Sequence, residues 1–242
     1  MRLIASRSRT GLRLVDIAQH TKLQRPTVHR ILKCLMSEGM VKQDPKTRRY
    51  FLGHLMFELG LAAASQYDLR DACHPSLQRL AEKTGDTVFL TLRSGFDAVC
   101  IDRREGPFPI RTLTLDVGTR RPLGVGAGGL ALLMHLPAET VQNIVSANAP
   151  RLGAYNNLTV PTLLRMVTRC QQLGYALNNI HITPDALSVG VAIPSRYSDP
   201  FLAISIGAIA SRMTASRQQE LVALLKAEAA ILEKAINSTT RS

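Results

Sequence analysis

Apolar residues in the first fifty positions recur twice at helical spacing and then at strand spacing. Leu12, Val15, Ile17 and Ala18 mark one face of a short amphipathic helix over residues 12–19. Residues 21–24 form a polar break holding one apolar residue, Leu23. A second helix is predicted over 26–38. Pro26 suits its first turn, where a missing N–H costs nothing. Val28, Ile31, Leu32 and Leu35 share its inward face, and Gly39 stops it. Two short helices and a tight turn are a helix-turn-helix. Residues 40–43 and 49–52 then flank the turn-forming stretch Asp44-Pro45-Lys46-Thr47-Arg48. That is a β-hairpin with a basic tip, a wing. Residues 54–65 return to helical spacing through Leu55, Met56, Leu59, Leu61 and Ala62, and read as a connector.

The pattern changes from Asp68. A helix carrying Leu69, Cys73, Leu77, Leu80 and Ala81 ends at Gly85. Strands are predicted over 87–93, 98–104 and 110–115. A glycine-rich turn, 124–129, leads into a helix through His135, with further helices over 137–147 and 161–173. Three more strands follow over 175–181, 188–193 and 201–208, and a helix over 216–236 closes the chain. Paired strands between helices give an α+β class, an antiparallel sheet flanked by helices. The predicted organisation is a winged helix-turn-helix domain over 1–53, a linker helix over 54–67 and a second domain over 68–242.

Charge sharpens this picture. The 242 residues carry a formal net charge of +12. Residues 1–60 hold twelve basic side chains against four acidic ones, so the excess is concentrated in the segment with the helix-turn-helix. A polyanionic partner, double-stranded DNA, is implied. Hydrophobic residues make up 45% of the chain, enough for a sizeable core, and with no Trp that core is built from Leu, Ile, Val and Ala. The N-terminus has no apolar signal core and no run reaches a membrane span, which points to a cytoplasmic protein without a membrane partner.

In a helix-turn-helix the first residues of the second helix reach base edges in the major groove. Here these are Arg25, Thr27, Val28, His29 and Arg30, with Lys33 one turn on. Arg pairs with guanine, Thr bonds a base or phosphate, and a Val methyl meets a thymine methyl. Lys46, Arg48 and Arg49 on the wing suit phosphates or the minor groove. The alternative is a solvated basic face on an unrelated helical bundle; the order helix, turn, helix, basic hairpin favours DNA.

The four cysteines form no CxxC pair, which leaves no disulfide framework or structural zinc site. Cys73 and His74 with His54 or His135 are a conceivable ligand set, against the plainer reading of buried thiols and surface histidines; no metal and no cofactor are expected. There is no GxSxG, no HExxH and no carboxylate pair beside a His. An enzyme on the same α+β domain is therefore the second reading, and a ligand-free architectural DNA-binding protein the third.

The run 11–60, GLRLVDIAQHTKLQRPTVHRILKCLMSEGMVKQDPKTRRYFLGHLMFELG, resembles the DNA-binding domain of IclR-type regulators. The family's Leu-x-x-x-Thr-x-His-Arg pattern stands as Leu23, Thr27, His29 and Arg30. DLRDACHPSLQRLAEKTGDTVFLTLRSGFDAVCIDRREG over 68–106 is similar to the start of the family's effector domain, and LGYALNN and DPFLAISIGAIASRMT to its later landmarks. The resemblance implies a GAF-like effector domain, a homodimer or homotetramer on operator DNA, and control of a catabolic operon. It also implies a full helix before the motif; only residues 2–6 stand there, so the expectation is either a chain that starts late or a weakened pairing of DNA-binding domains.

The glycine run 124–129 opens a helix and has two readings, close helix packing or the approach of a ligand to free backbone N–H groups. It is not a nucleotide loop, since no Gly-Lys-Ser/Thr follows. The resemblance implies that Ala127 and Gly128 donate N–H groups to the carboxylate of a small organic acid. It places the other contacts on Asn178, Ala186, Ser188, Ser205 and Gly207. Ser188 and Ser205 otherwise read as strand serines, and Asn178 as a turn asparagine. Relatives of very small oxo-acid specificity carry an acid at 178, a Cys at 188 and a Ser at 207. Their replacement here points to a larger anion, an aromatic or dicarboxylic acid.

Overall fold

The computed structural model describes residues 1–242 except Arg9, 65–68, 111–114, 180–184, 196–199 and 240–242. The chain divides into two compact units, Met1–Asp68 and Leu69–Ser242. Among the described residues, no helix is long and apolar enough to cross a membrane.

In the first unit, a turn of helix α1 (Arg2–Ala5) precedes α2 (Leu14–Thr21) and α3 (Arg25–Ser37). Asp16 starts α2 by accepting from the backbone N–H of Arg13 at 3.1 Å. Lys22 ends it in the left-handed region, φ 56°. Strands β1 (Val41–Gln43) and β2 (Tyr50–Leu52) pair antiparallel with Val41 opposite Leu52. Ile4, Leu12, Ile17, Ala18, Val28, Leu32, Val41 and Tyr50 form the core. Val15 and Ile31, expected inward, are 37% and 45% exposed. The inward row of α3 is Val28, Leu32 and Leu35, a 4-then-3 spacing that leaves Ile31 on its flank. Helix α4 (His54–Ala64) closes the described part of this unit.

In the second unit, α5 (Leu69–Thr84) is followed by β3 (Thr87–Ser94), β4 (Asp97–Arg104) and β5 (Arg120–Pro122). Then come α6 (Ala127–Leu133), α7 (Ala138–Leu152) and α8 (Val160–Leu173), strands β6 (Ala176–Asn178), β7 (Ala186–Ala192) and β8 (Leu202–Ile209), a 3₁₀ turn (Ala210–Arg212) and α9 (Ala215–Thr239). The sheet order is β5-β4-β3-β8-β7-β6, with every pair antiparallel. The expected strand over 110–115 falls largely outside the described residues; β5, which the hydrophobic pattern did not reveal, forms the edge beside β4.

Alternation gives this sheet two different faces. Val88, Leu90, Val189, Val191, Ile204 and Ile206 point to α5 and α9, where Leu77, Leu80, Leu221, Leu225 and Leu232 complete a large aliphatic core. The opposite face carries small residues, among them Ala98, Ala176, Ala192 and Ala203, which pack with α6, α7 and α8. Small residues there let α6 approach closely. An added Cβ at Gly129 would lie 3.2 Å from Ala98 Cβ, and one at Gly190 would lie 3.0 Å from the Ala127 carbonyl oxygen.

Candidate DNA-reading surface and effector pocket

Arg25, His29, Arg30 and Lys33 are exposed along one side of α3, and Thr27 is half-buried. Val28 is 3% exposed and sits in the core, which leaves it no surface to offer a base edge. This corrects the expected thymine contact: the position packs rather than reads. On the wing, Lys46 and Arg48 are exposed. Arg49 is half-buried, and its guanidinium donates to the carbonyls of Thr10 and Gly11, both at 3.1 Å. It therefore ties the hairpin to the segment before α2.

Asp44 shapes the wing tip. Its Oδ1 accepts from the N–H groups of Lys46 and Thr47 at 3.0 and 2.6 Å and from the Thr47 hydroxyl at 2.8 Å. Arg48 follows in the left-handed region, φ 55°. The backbone hydrogen bond from Thr47, then its hydroxyl, holds the Asp44 carboxyl below its ordinary 3.8. A carboxyl whose pKa falls on folding supports the turn above its unfolded value and loses that support as pH drops through the folded one. The Thr47 amide proton is thus expected to stay at its native NMR shift at pH 5 and to move toward random coil below pH 3.8, a move absent in Asp44→Ala, where the shift is already displaced at neutral pH.

The seven positions singled out in the second unit, scattered between 127 and 207, line one cavity on the small-residue face of the sheet. Strand register explains the convergence. Ser188 stands opposite both Asn178 and Gly207, and Ser205 opposite both Gly190 and Phe89. Ala127 and Gly128 overhang this row from the first turn of α6, whose leading N–H groups have no acceptor within the helix. Gly126, φ 83° and ψ 159°, sets the approach to that turn, a conformation essentially confined to glycine. Asn178 is 7% exposed, and its Oδ1 has no hydrogen-bond partner among the described residues.

Gly128 carries both readings of the glycine run at once. A Cβ there would come within 2.3 Å of the Thr91 hydroxyl, itself part of the cavity wall. Gly128→Ala is expected to cost about 1–3 kcal/mol as an overpacked site. Combining it with Thr91→Ala should return much of that loss in a double-mutant cycle read by denaturant unfolding; strictly additive effects would contradict the contact.

Among the wall residues that the sequence reading does not reach are Thr91, Cys100 and Arg121. Cys100 stands opposite Thr91, and Arg121 opposite Ala98, so all three share the cavity face. The available signal was alternation along β3 and β4; β5 is too short to show it. Burial pushes the thiols of Cys73 and Cys100 up to about 12, so neither is a thiolate at neutral pH. Burial also lowers the pKa of His135. Among the described residues, no group of three or more His, Cys, Asp or Glu side chains could hold a metal.

Comparison with known families matches residues 1–45 to the IclR helix-turn-helix domain and residues 61–233 to the C-terminal domain of the bacterial transcriptional regulator IclR. The chain is 33% identical to the probable transcriptional regulator SauR of Cupriavidus necator, over 84% of this chain and 81% of that protein. It is 30% identical to the HTH-type transcriptional repressor AllR of Klebsiella pneumoniae, over 86% and 77%. An IclR homologue from Microbacterium hydrocarbonoxydans, solved in complex with 4-hydroxybenzoate, shares the fold with a TM-score of 0.69 at 21% identity, over 95% of this chain and 93% of that one. The matched families and named relatives are transcription regulators, not enzymes. With its helix-turn-helix unit and its α+β unit each matched in this way, the chain belongs to the IclR family of bacterial transcriptional regulators.

Proposed function

We propose that this regulator controls a catabolic operon in response to a small organic acid. Residues 1–53 bind operator DNA, 54–67 connect, and 68–242 bind the effector. The carrying observation is the cavity in which Ala127, Gly128, Asn178, Ala186, Ser188, Ser205 and Gly207 meet. Its chemistry suits an acid: first-turn N–H groups on Ala127 and Gly128 for a carboxylate, and the Ser188 and Ser205 hydroxyls and Asn178 amide for further polar groups. Arg25, Thr27, His29, Arg30 and Lys33 read the major groove, and Lys46, Arg48 and Arg49 lie toward phosphates. The protein works in the cytoplasm as a homodimer or homotetramer; Phe57 and Leu61, one turn apart on α4, are 69% and 58% exposed, an apolar surface fitting a second copy.

A thermal-shift screen of the full chain against aliphatic and aromatic acids, 4-hydroxybenzoate included, tests the effector reading. A bound acid raises the melting temperature by mass action, and the same acid should change retention of the DNA upstream of the protein's own gene in a gel shift. A screen in which no acid raises the melting temperature would remove this reading.

A further inference from the structure

The cavity wall contains one charged side chain among the described residues, Arg121, and it is a cation. Its placement follows from strand alternation. Arg120 and Arg121 are consecutive on β5 and point to opposite faces. Arg120 turns away from the cavity and donates to Asp97 Oδ2 at 3.2 Å and to Ser94 Oγ at 3.1 Å. Arg121, opposite Ala98, turns in. Its guanidinium carbon lies 5.8 Å from the centre of the Tyr155 ring. Burial lowers its pKa from the ordinary arginine value, yet an arginine keeps its proton at neutral pH.

Arg121 and Asn178 line the cavity from opposite ends of the sheet. They stand on β5 and β6, the opposite edge strands of the six-stranded sheet. The row Asn178–Ser188–Gly207 serves one end. Arg121 serves the other, two strand spacings from Thr91 on β3, about 10 Å. A monoacid held at Ala127 and Gly128 spends its one anionic group there.

We infer that Arg121 sets the specificity of the cavity for a dicarboxylic acid, binding the carboxylate remote from the one seated at Ala127 and Gly128. This rests on the effector reading above and names its ligand class. A guanidinium suits the task because its planar fork meets a carboxylate with two parallel hydrogen bonds, and a partly desolvated cation gains more from an anion than an exposed one.

The test uses the full chain and matched acid pairs, adipate against hexanoate and terephthalate against benzoate, measured by calorimetric titration and thermal shift. At least one diacid is expected to bind wild type ten times more tightly than its monoacid. Arg121→Leu should erase that advantage, lowering diacid affinity at least tenfold more than monoacid affinity, and Arg121→Lys should keep part of it. Monoacid binding with no diacid advantage in wild type, or an advantage that survives in Arg121→Leu, overturns this inference and leaves the effector site standing. No binding by any acid overturns both. Melting of the unliganded variants reports their folding; should Arg121→Leu fail to fold, the wild-type ratio and Arg121→Lys decide the outcome.

Discussion

Asp86→Ala is expected to destabilise the second unit by about 3 kcal/mol, the loss typical when one partner of a buried charge cluster is removed. Asp86 occupies the junction between α5 and β3, with its side chain 2% exposed. It accepts from Arg212 Nε at 2.9 Å and Arg212 Nη2 at 3.2 Å, and Arg217 Nη2 lies 3.7 Å away. Both arginines also donate to the Thr84 carbonyl, at 3.1 and 2.8 Å. Arg212 stacks 3.9 Å over the Phe108 ring. One carboxylate thus ties the end of α5 to the 3₁₀ turn and to α9, segments more than 120 residues apart in sequence. Without it, Arg212, about three-quarters buried, loses the carboxylate that holds it, and Arg217 keeps only Glu220 as an anionic partner among the described residues, at 2.7 Å. For a unit of this size the loss corresponds to a fall in melting temperature of roughly 6–12 °C. Asp86→Asn keeps the shape and loses the charge, so it should fall between Ala and wild type. In Asp86→Ala combined with Arg212→Ala the losses should be less than additive, because the second change relieves the uncompensated cation. A melting temperature within 2 °C of wild type for Asp86→Ala would contradict this account.

That cluster was invisible to hydrophobic pattern, and the reason is general. Periodicity reports which residues are apolar and how they repeat, so it gave α2, α3, β3, β4, α5, α8 and α9 nearly to their ends. It cannot report which polar groups meet across 126 residues, as Asp86 and Arg212 do. It also misjudges single positions on a helix flank: Ile31 stands three residues after Val28 and four before Leu35, a spacing that counts it inward, yet three-dimensional packing turns it out. β5 was missed because three residues ending in a proline carry no period; pairing of Val99 and Ala98 with Arg120 and Arg121 defines it. The cavity was legible only through family resemblance, which supplied seven positions. Arg121 lay outside that set, since its inward direction depends on its register against β4.

The double variant Arg25→Ala with Arg30→Ala is expected to lose specific operator affinity by about 2–6 kcal/mol, twice the cost of one bidentate base contact, or roughly thirtyfold to twenty-thousandfold. Both side chains are exposed near the start of α3, the end that enters the major groove in this motif. Arg48→Ala is different. Arg48 is an exposed cation at the wing tip, and the partner proposed for it is a phosphate, which every sequence offers. Its loss should weaken operator and scrambled duplex alike and reduce the slope of log affinity against log salt by about one. Arg49 makes a poor phosphate probe, because its hydrogen bonds to Thr10 and Gly11 mean that removing it disturbs the hairpin as well. Val28→Ala provides the internal contrast: with Val28 buried in the core of the unit, it should lower stability while leaving sequence preference unchanged. The measurement is fluorescence anisotropy on the protein's own upstream operator and on a scrambled duplex, each at two salt concentrations. A double variant that still prefers the operator over the scrambled duplex as strongly as wild type does would show that α3 is not the reading helix. A Val28→Ala variant that folds but loses the preference would restore this residue to the base-contacting set.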